Sequence, residues 1–151
     1  MAKKSSSVSR KYLKILGIVE IVFAVILAAL SIFAVTLNPS LTDLGFTADQ
    51  IASITNSGAT ENVIKTVYYV TTFTCIAIAI LVGALLIRAA NNPKKSTFVL
   101  VLTVLSTVGS VVTLFSTGFN NIGTVISNII SLTLYILTFM ALVKIRGEIK
   151  E

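Results

Sequence analysis

The sequence predicts an all-α integral membrane protein: a four-helix up-down bundle with a short extracytoplasmic helix between the first and second spans. Three observations predict it. Hydrophobic residues make up 55% of the 151-residue chain and charged residues only 12%, with a mean hydropathy of +0.95. Soluble domains carry about 25% charged residues, and so small a domain needs more polar surface than this one has. The apolar residues gather into four runs of about 20 residues each, the length that crosses a hydrocarbon core of about 30 Å as helix. Lys and Arg residues flank these runs on alternate sides.

Residues 1–14 form a basic tail in which Ser5-Ser6-Ser7 reads as a disordered flank. The first span covers 15–37, interrupted only by Glu20 and small polar residues. Its apolar stretch is longer than a secretory signal's usual ~7–15 residues and no A-x-A site follows, so it is expected to be retained. Asn38-Pro39 ends it, because proline lacks a donor and restricts the residue before it. Within the loop 38–62, Thr47 is placed to cap a helix with Gln50 three residues on. Phe46 and Ile51 are spaced as a hydrophobic staple, and Ser57-Gly58 offers a stop, which predicts a short helix over 48–55.

The second span covers 63–88, with Lys65 near enough to its start to reach the headgroups. Asn91-Asn92-Pro93 turns the chain within a cytoplasmic loop, 89–96, before a third span over 97–116. Gly118-Phe119-Asn120-Asn121 marks an outer turn over 117–121, and a fourth span follows over 122–144 with a tail at 145–151. Connections this short make antiparallel neighbours of the helices they join. Barrel strands are excluded, since they alternate apolar and polar residues over about 10 positions and these runs do not.

Orientation follows from the cations, which are retained on the cytoplasmic side. Lys3, Lys4, Arg10, Lys11 and Lys14 precede the first span, Arg88, Lys94 and Lys95 lie between the second and third, and Lys144, Arg146 and Lys150 follow the fourth. Only Lys65 falls on the other side, with Asp43, Asp49 and Glu61. Both termini are therefore expected to be cytoplasmic, in the cytoplasmic membrane.

Helices in lipid associate through small residues and interhelical hydrogen bonds, because Leu and acyl chains are about equally apolar. Each span has such a stripe: Gly17, Glu20, Ala24, Ala28 and Ser31; Thr72, Cys75, Ala79 and Gly83; Thr103, Ser106, Thr107, Ser110 and Thr113; Gly123, Ser127, Asn128, Ser131, Tyr135 and Thr138. Spacings of three and four hold each set to one face. These stripes read first as packing seams. The polar set Thr103, Ser106, Ser110, Asn128, Ser131, Tyr135 and Thr138 admits a second reading, a polar path.

Glu20 is the one carboxylate well inside an apolar run. It lies roughly 8 Å beyond Ile15 at 1.5 Å per residue, near the cytoplasmic boundary. It is expected to pair with a basic group such as Arg88 or Lys144, or to accept from Thr103 or Thr138. The competing reading is a proton- or cation-binding carboxylate. A glutamate in the first of four apolar helices resembles the small multidrug resistance transporters. The long external loop and the absence of tryptophan depart from that family's pattern, so its function is not carried over.

The inventory excludes several chemistries. With no His and one Cys, neither a Cys/His zinc site nor a Ser-His-Asp triad can be assembled within the chain. No phosphate-binding glycine motif is present. Asp43, Asp49 and Glu61 match no Ca²⁺ loop. No cofactor or metal is expected, and no enzyme. The net charge of +6 is not arranged with aromatics as a nucleic-acid face. The expected partners are the lipid bilayer and a second copy or another membrane protein. The leading expectation is a non-enzymatic interaction or accessory subunit, and the alternative is a small transporter or channel using Glu20.

The topology is testable by cysteine labelling in a Cys75→Ser background. An impermeant maleimide is expected to label a cysteine at Ser57 in intact cells and one at Lys95 only after permeabilisation.

Overall fold

A computed structural model describes residues 2–117 and 122–147. Among the described residues the chain is helical and without strands: α1 (Ala2–Leu37), α2 (Ala48–Asn56), α3 (Glu61–Asn91), a 3-10 turn (Pro93–Lys95), α4 (Thr97–Thr117) and α5 (Ile122–Gly147). Three stretches, Ser7–Leu37, Glu61–Asn91 and Asn128–Gly147, are long and apolar enough to cross a membrane. α4 adds a shorter apolar stretch, Thr97–Val112. The chain is a membrane protein on this length and composition. The turn expected over 117–121 falls largely outside the described residues, as do residues 148–151.

The basic tail is not a disordered flank. α1 begins at Ala2 and continues without a break to Leu37, about 54 Å at 1.5 Å per residue. Once a span has nucleated a helix, adding each further residue is cheap, and the tail contains no Gly or Pro to stop propagation.

The chain forms two compact units, residues 1–19 with 82–151, and residues 20–81. The first unit has a contiguous core of Leu13, Leu86, Ala89, Ala90, Val99, Ala141, Leu142 and Ile145. These residues come from the early part of α1, the end of α3, the start of α4 and the end of α5. α4 and α5 pack along one another, and the 3-10 turn lies against α5. Asn92 caps that turn by accepting from the Lys94 backbone at 3.2 Å. Ser96, fully buried, closes it by donating from Oγ to the Pro93 carbonyl at 2.6 Å.

Close approach within this unit depends on Gly17. A Cβ there would sit 2.5 Å from the Gly83 carbonyl oxygen and 2.8 Å from Ile87 Cγ1. The backbones of α1 and α3 thus meet where neither helix carries a side chain, the arrangement that lets helices in lipid gain dispersion contact.

In the second unit the buried apolar residues are Ala24, Leu41, Ile64 and Ile76. The polar loop is built from local hydrogen bonds. Ser40 and Asp43 form a reciprocal box: the Ser40 backbone donates to Asp43 Oδ2 at 3.0 Å, and the Asp43 backbone donates to Ser40 Oγ at 3.3 Å. The single turn they start closes as a Schellman motif, with Gly45 bonded to the Thr42 carbonyl and Phe46 to that of Leu41. Gly45 adopts φ +89°, a left-handed conformation that glycine reaches without strain.

A second box starts α2, in which Gln50 donates from its backbone to Thr47 Oγ1 at 3.3 Å and accepts from the Thr47 backbone at 2.9 Å. Gly58, also at φ +89°, follows its end. Phe46 meets Tyr68 edge-on, with ring centroids 5.8 Å apart.

Gly17→Ala is expected to lower the melting temperature, at a cost of about 1–3 kcal/mol for forcing the crossing apart. Gly109→Ala is the matched control, because a Cβ there meets nothing within 4 Å and alanine favours the helix. Differential scanning fluorimetry of both variants in one detergent checks the pair.

Candidate functional site

Glu20 sits in α1, half-buried, on the same face as Gly17 and Ala24, which are buried. Ala28 and Ser31, further along that face, are half-buried, while Val22, Phe23, Val25, Ile26 and Leu27 are exposed. The carboxylate therefore shares the less exposed side of its helix. Among the described residues, no hydrogen bond or ion pair reaches it.

The hydroxyls expected near it have other acceptors. Thr103, buried, donates to the Val99 carbonyl at 2.8 Å, and Thr138, buried, donates to that of Leu134 at 2.7 Å. Thr107 bonds back to Thr103 in the same way. Threonine in a membrane helix satisfies its hydroxyl on its own preceding turn when no neighbour competes.

The other polar side chains of α4 and α5 are placed unevenly. Ser110, Asn128, Ser131 and Tyr135 are half-buried, and Ser106 is exposed. Asn128 Nδ2 is covered and finds no hydrogen-bond partner among the described residues. The side chains of Thr113, Gly123 and Ser127 lie outside the described residues. In α3 the stripe expected through Thr72, Cys75, Ala79 and Gly83 is displaced at one position. Cys75 is exposed and Ile76 is buried in its place. Steps of three and four from Thr72 reach either residue, and the helix phase set by Ile64 and Thr72 selects Ile76.

Of the cations, Lys11, Lys14, Arg88, Lys94, Lys95, Lys144 and Arg146 are exposed in the first unit, and Arg10 is half-buried. The side chains of Lys3 and Lys4 lie outside the described residues. In the second unit Lys65 does more than reach outward. Its Nζ pairs with Glu61 at 2.9 Å and donates to Asn38 Oδ1 at 3.2 Å. Asn38 has φ +46°, so Lys65 ties the first turn of α3 to the left-handed residue that ends α1.

An open groove in the same unit is lined by Val35, Thr66, Tyr69, Val70, Phe73, Thr74 and Ala77. Its threonines bond back to the Asn62 and Val70 carbonyls, so the groove presents apolar surface. No group of three metal-ligating side chains occurs among the described residues.

Sequence reasoning missed the Ser40–Asp43 box. Its signal is present as S-x-x-D directly after Pro39, the same grammar that marks Thr47 and Gln50. The Ser40 hydroxyl donates to Asp43 Oδ2 at 2.6 Å. The Ser40 side chain and backbone, and the more distant charge of Lys65, hold the Asp43 carboxyl below its ordinary value. A depressed carboxyl stabilises the turn above the unfolded Asp value of about 3.9, and that contribution is lost as pH falls through the lower folded value.

NMR titration of Asp43 is therefore expected to give a midpoint below the unfolded Asp value of about 3.9, and Ser40 amide protection should follow that midpoint. Asp43→Asn is expected to remove the pH dependence of that protection between neutral pH and the acid limb. In comparison with known proteins, no family model, no curated protein and no solved structure matches the chain.

Proposed function

We propose that this chain is a non-enzymatic interaction or accessory subunit of the cytoplasmic membrane, spanning it four times with both termini inside. The observation that carries this reading is the unused apolar face of α1. Only 6% of the most apolar window of Ser7–Leu37 is buried within the chain, against 22% for Asn128–Gly147. A helix with so little internal contact has most of its circumference available to lipid or to another membrane helix. The hydroxyls of Thr103, Thr107 and Thr138, spent on their own backbone, also favour packing over a hydrated path.

Four spans in an up-down bundle follow from length and charge. α4 is 21 residues, about 32 Å at 1.5 Å per residue, and the 26-residue α5 packs along it. With an even number of crossings, the cations before α1, between α3 and α4, and at the end of α5 all fall on one side.

A second reading rests on Glu20. A carboxylate in an apolar helix is costly without a partner, and none reaches it among the described residues. A small transporter or channel would use it to bind a proton or cation.

Affinity purification of the tagged chain in mild detergent, followed by native mass spectrometry, tests the first reading. A reproducible stoichiometric partner is expected, and a lone monomer would refute the accessory role. Under the second reading, Glu20→Gln abolishes pH-dependent cation flux in liposomes while the protein remains folded. Equal flux in wild type and variant would dismiss it.

A further inference from the structure

The first unit contains eleven of the chain's twelve Lys and Arg residues but only two of its six carboxylates. Among its exposed cations are Lys14, Arg88, Lys94, Lys95, Lys144 and Arg146, and no ion pair to them forms among the described residues. They follow or flank the core residues Leu13, Ala89 and Ile145, or lie just ahead of Val99. Those four core residues belong to one cluster, so the cations crowd around one end of this unit. Like charges held this close repel, and the repulsion is relieved by counter-anions.

A second observation narrows the anion. Exposed apolar side chains lie close in sequence to three of these cations. Ile18, 54% exposed, lies four residues beyond Lys14, and Met140, 61% exposed, lies four residues before Lys144. Phe98, 59% exposed, lies at the start of α4, three residues beyond Lys95, which ends the 3-10 turn. Residues four apart on a helix are surface neighbours. Lys14 and Lys144 thus border apolar surface that water would not favour, and Lys95 lies within three residues of more of it. A nucleic acid or an acidic peptide would satisfy the cations and leave that surface uncovered. An amphiphile with an anionic head and an apolar tail satisfies both.

We propose that this end of the protein binds anionic phospholipids, with phosphodiester groups on the cations and acyl chains along Ile18, Phe98 and Met140. Arg88 and Arg146 present planar forks suited to two phosphate oxygens, and the lysines act as point charges. Juxtamembrane clusters of four to eight such cations are of the size that recruits anionic lipid. This binding is independent of whether Glu20 carries ions.

The test uses the purified full chain in a neutral detergent. Its melting temperature is measured with added phosphatidylglycerol, phosphatidylcholine or inorganic phosphate, at low and high salt. The expected result is a rise of several degrees with phosphatidylglycerol alone, shrinking at high salt as screening shortens the reach of each charge. In Lys94→Gln/Lys95→Gln/Lys144→Gln/Arg146→Gln, with helix content equal to wild type by circular dichroism, more than half of that rise should be lost. If this variant does not fold, Lys94→Gln/Lys95→Gln takes its place and must show a smaller rise than wild type. Equal shifts with both lipids, a shift reproduced by phosphate, or a full shift in the substituted protein would each overturn the proposal.

Discussion

A peptide group inside hydrocarbon has no water to bond, so each buried N–H and C=O must find a partner in the chain itself. Everything else in this protein depends on that constraint. Val, Ile and Thr, abundant in its apolar runs, favour strands in water. In lipid a helix satisfies its backbone locally, and the modest propensity penalty of these residues is overridden. The same demand reaches side chains: Thr72, Thr74, Thr103, Thr107, Thr133 and Thr138 all bond to the carbonyl four residues back.

With the polar groups satisfied within each helix, little remains to pull helices together except contact. The core of the first unit is correspondingly modest, and one of its close approaches is made of absence, where Gly17 meets the Gly83 carbonyl. Large apolar residues do not drive association here, because lipid serves them as well as a neighbouring helix does. Ile15, Phe23, Leu30, Phe33 and Leu37 along α1 all remain outside.

The polar loop obeys a different rule. In contact with water, its backbone can exchange partners freely, so order comes from local devices. Two capping boxes, two left-handed glycines and one Lys65 linking Glu61 with Asn38 hold it. Each is a short-range feature written in consecutive residues. The Thr47–Gln50 box was legible from spacing alone. The Ser40–Asp43 box follows the same grammar but starts only a single turn, too short to carry a helical pattern that would mark it.

The chain alone determined where the long apolar stretches lie and where the cations fall beside them, because apolar length and the placement of Lys and Arg are one-dimensional properties; it did not show that α1 reaches back to Ala2. It also identified Glu20 as the carboxylate on the small-residue side of α1. Which of two adjacent residues turns inward was beyond it. Cys75 and Ile76 fit the same spacing, and Ser106 shares a stripe with Thr103 yet is exposed while Thr103 is buried. The tertiary structure decided these, along with the acceptors of Thr103 and Thr138 and the crossing at Gly17. The physical reason is that a helix period of 3.6 leaves its phase free by about one residue, and only contact with a neighbour removes that freedom.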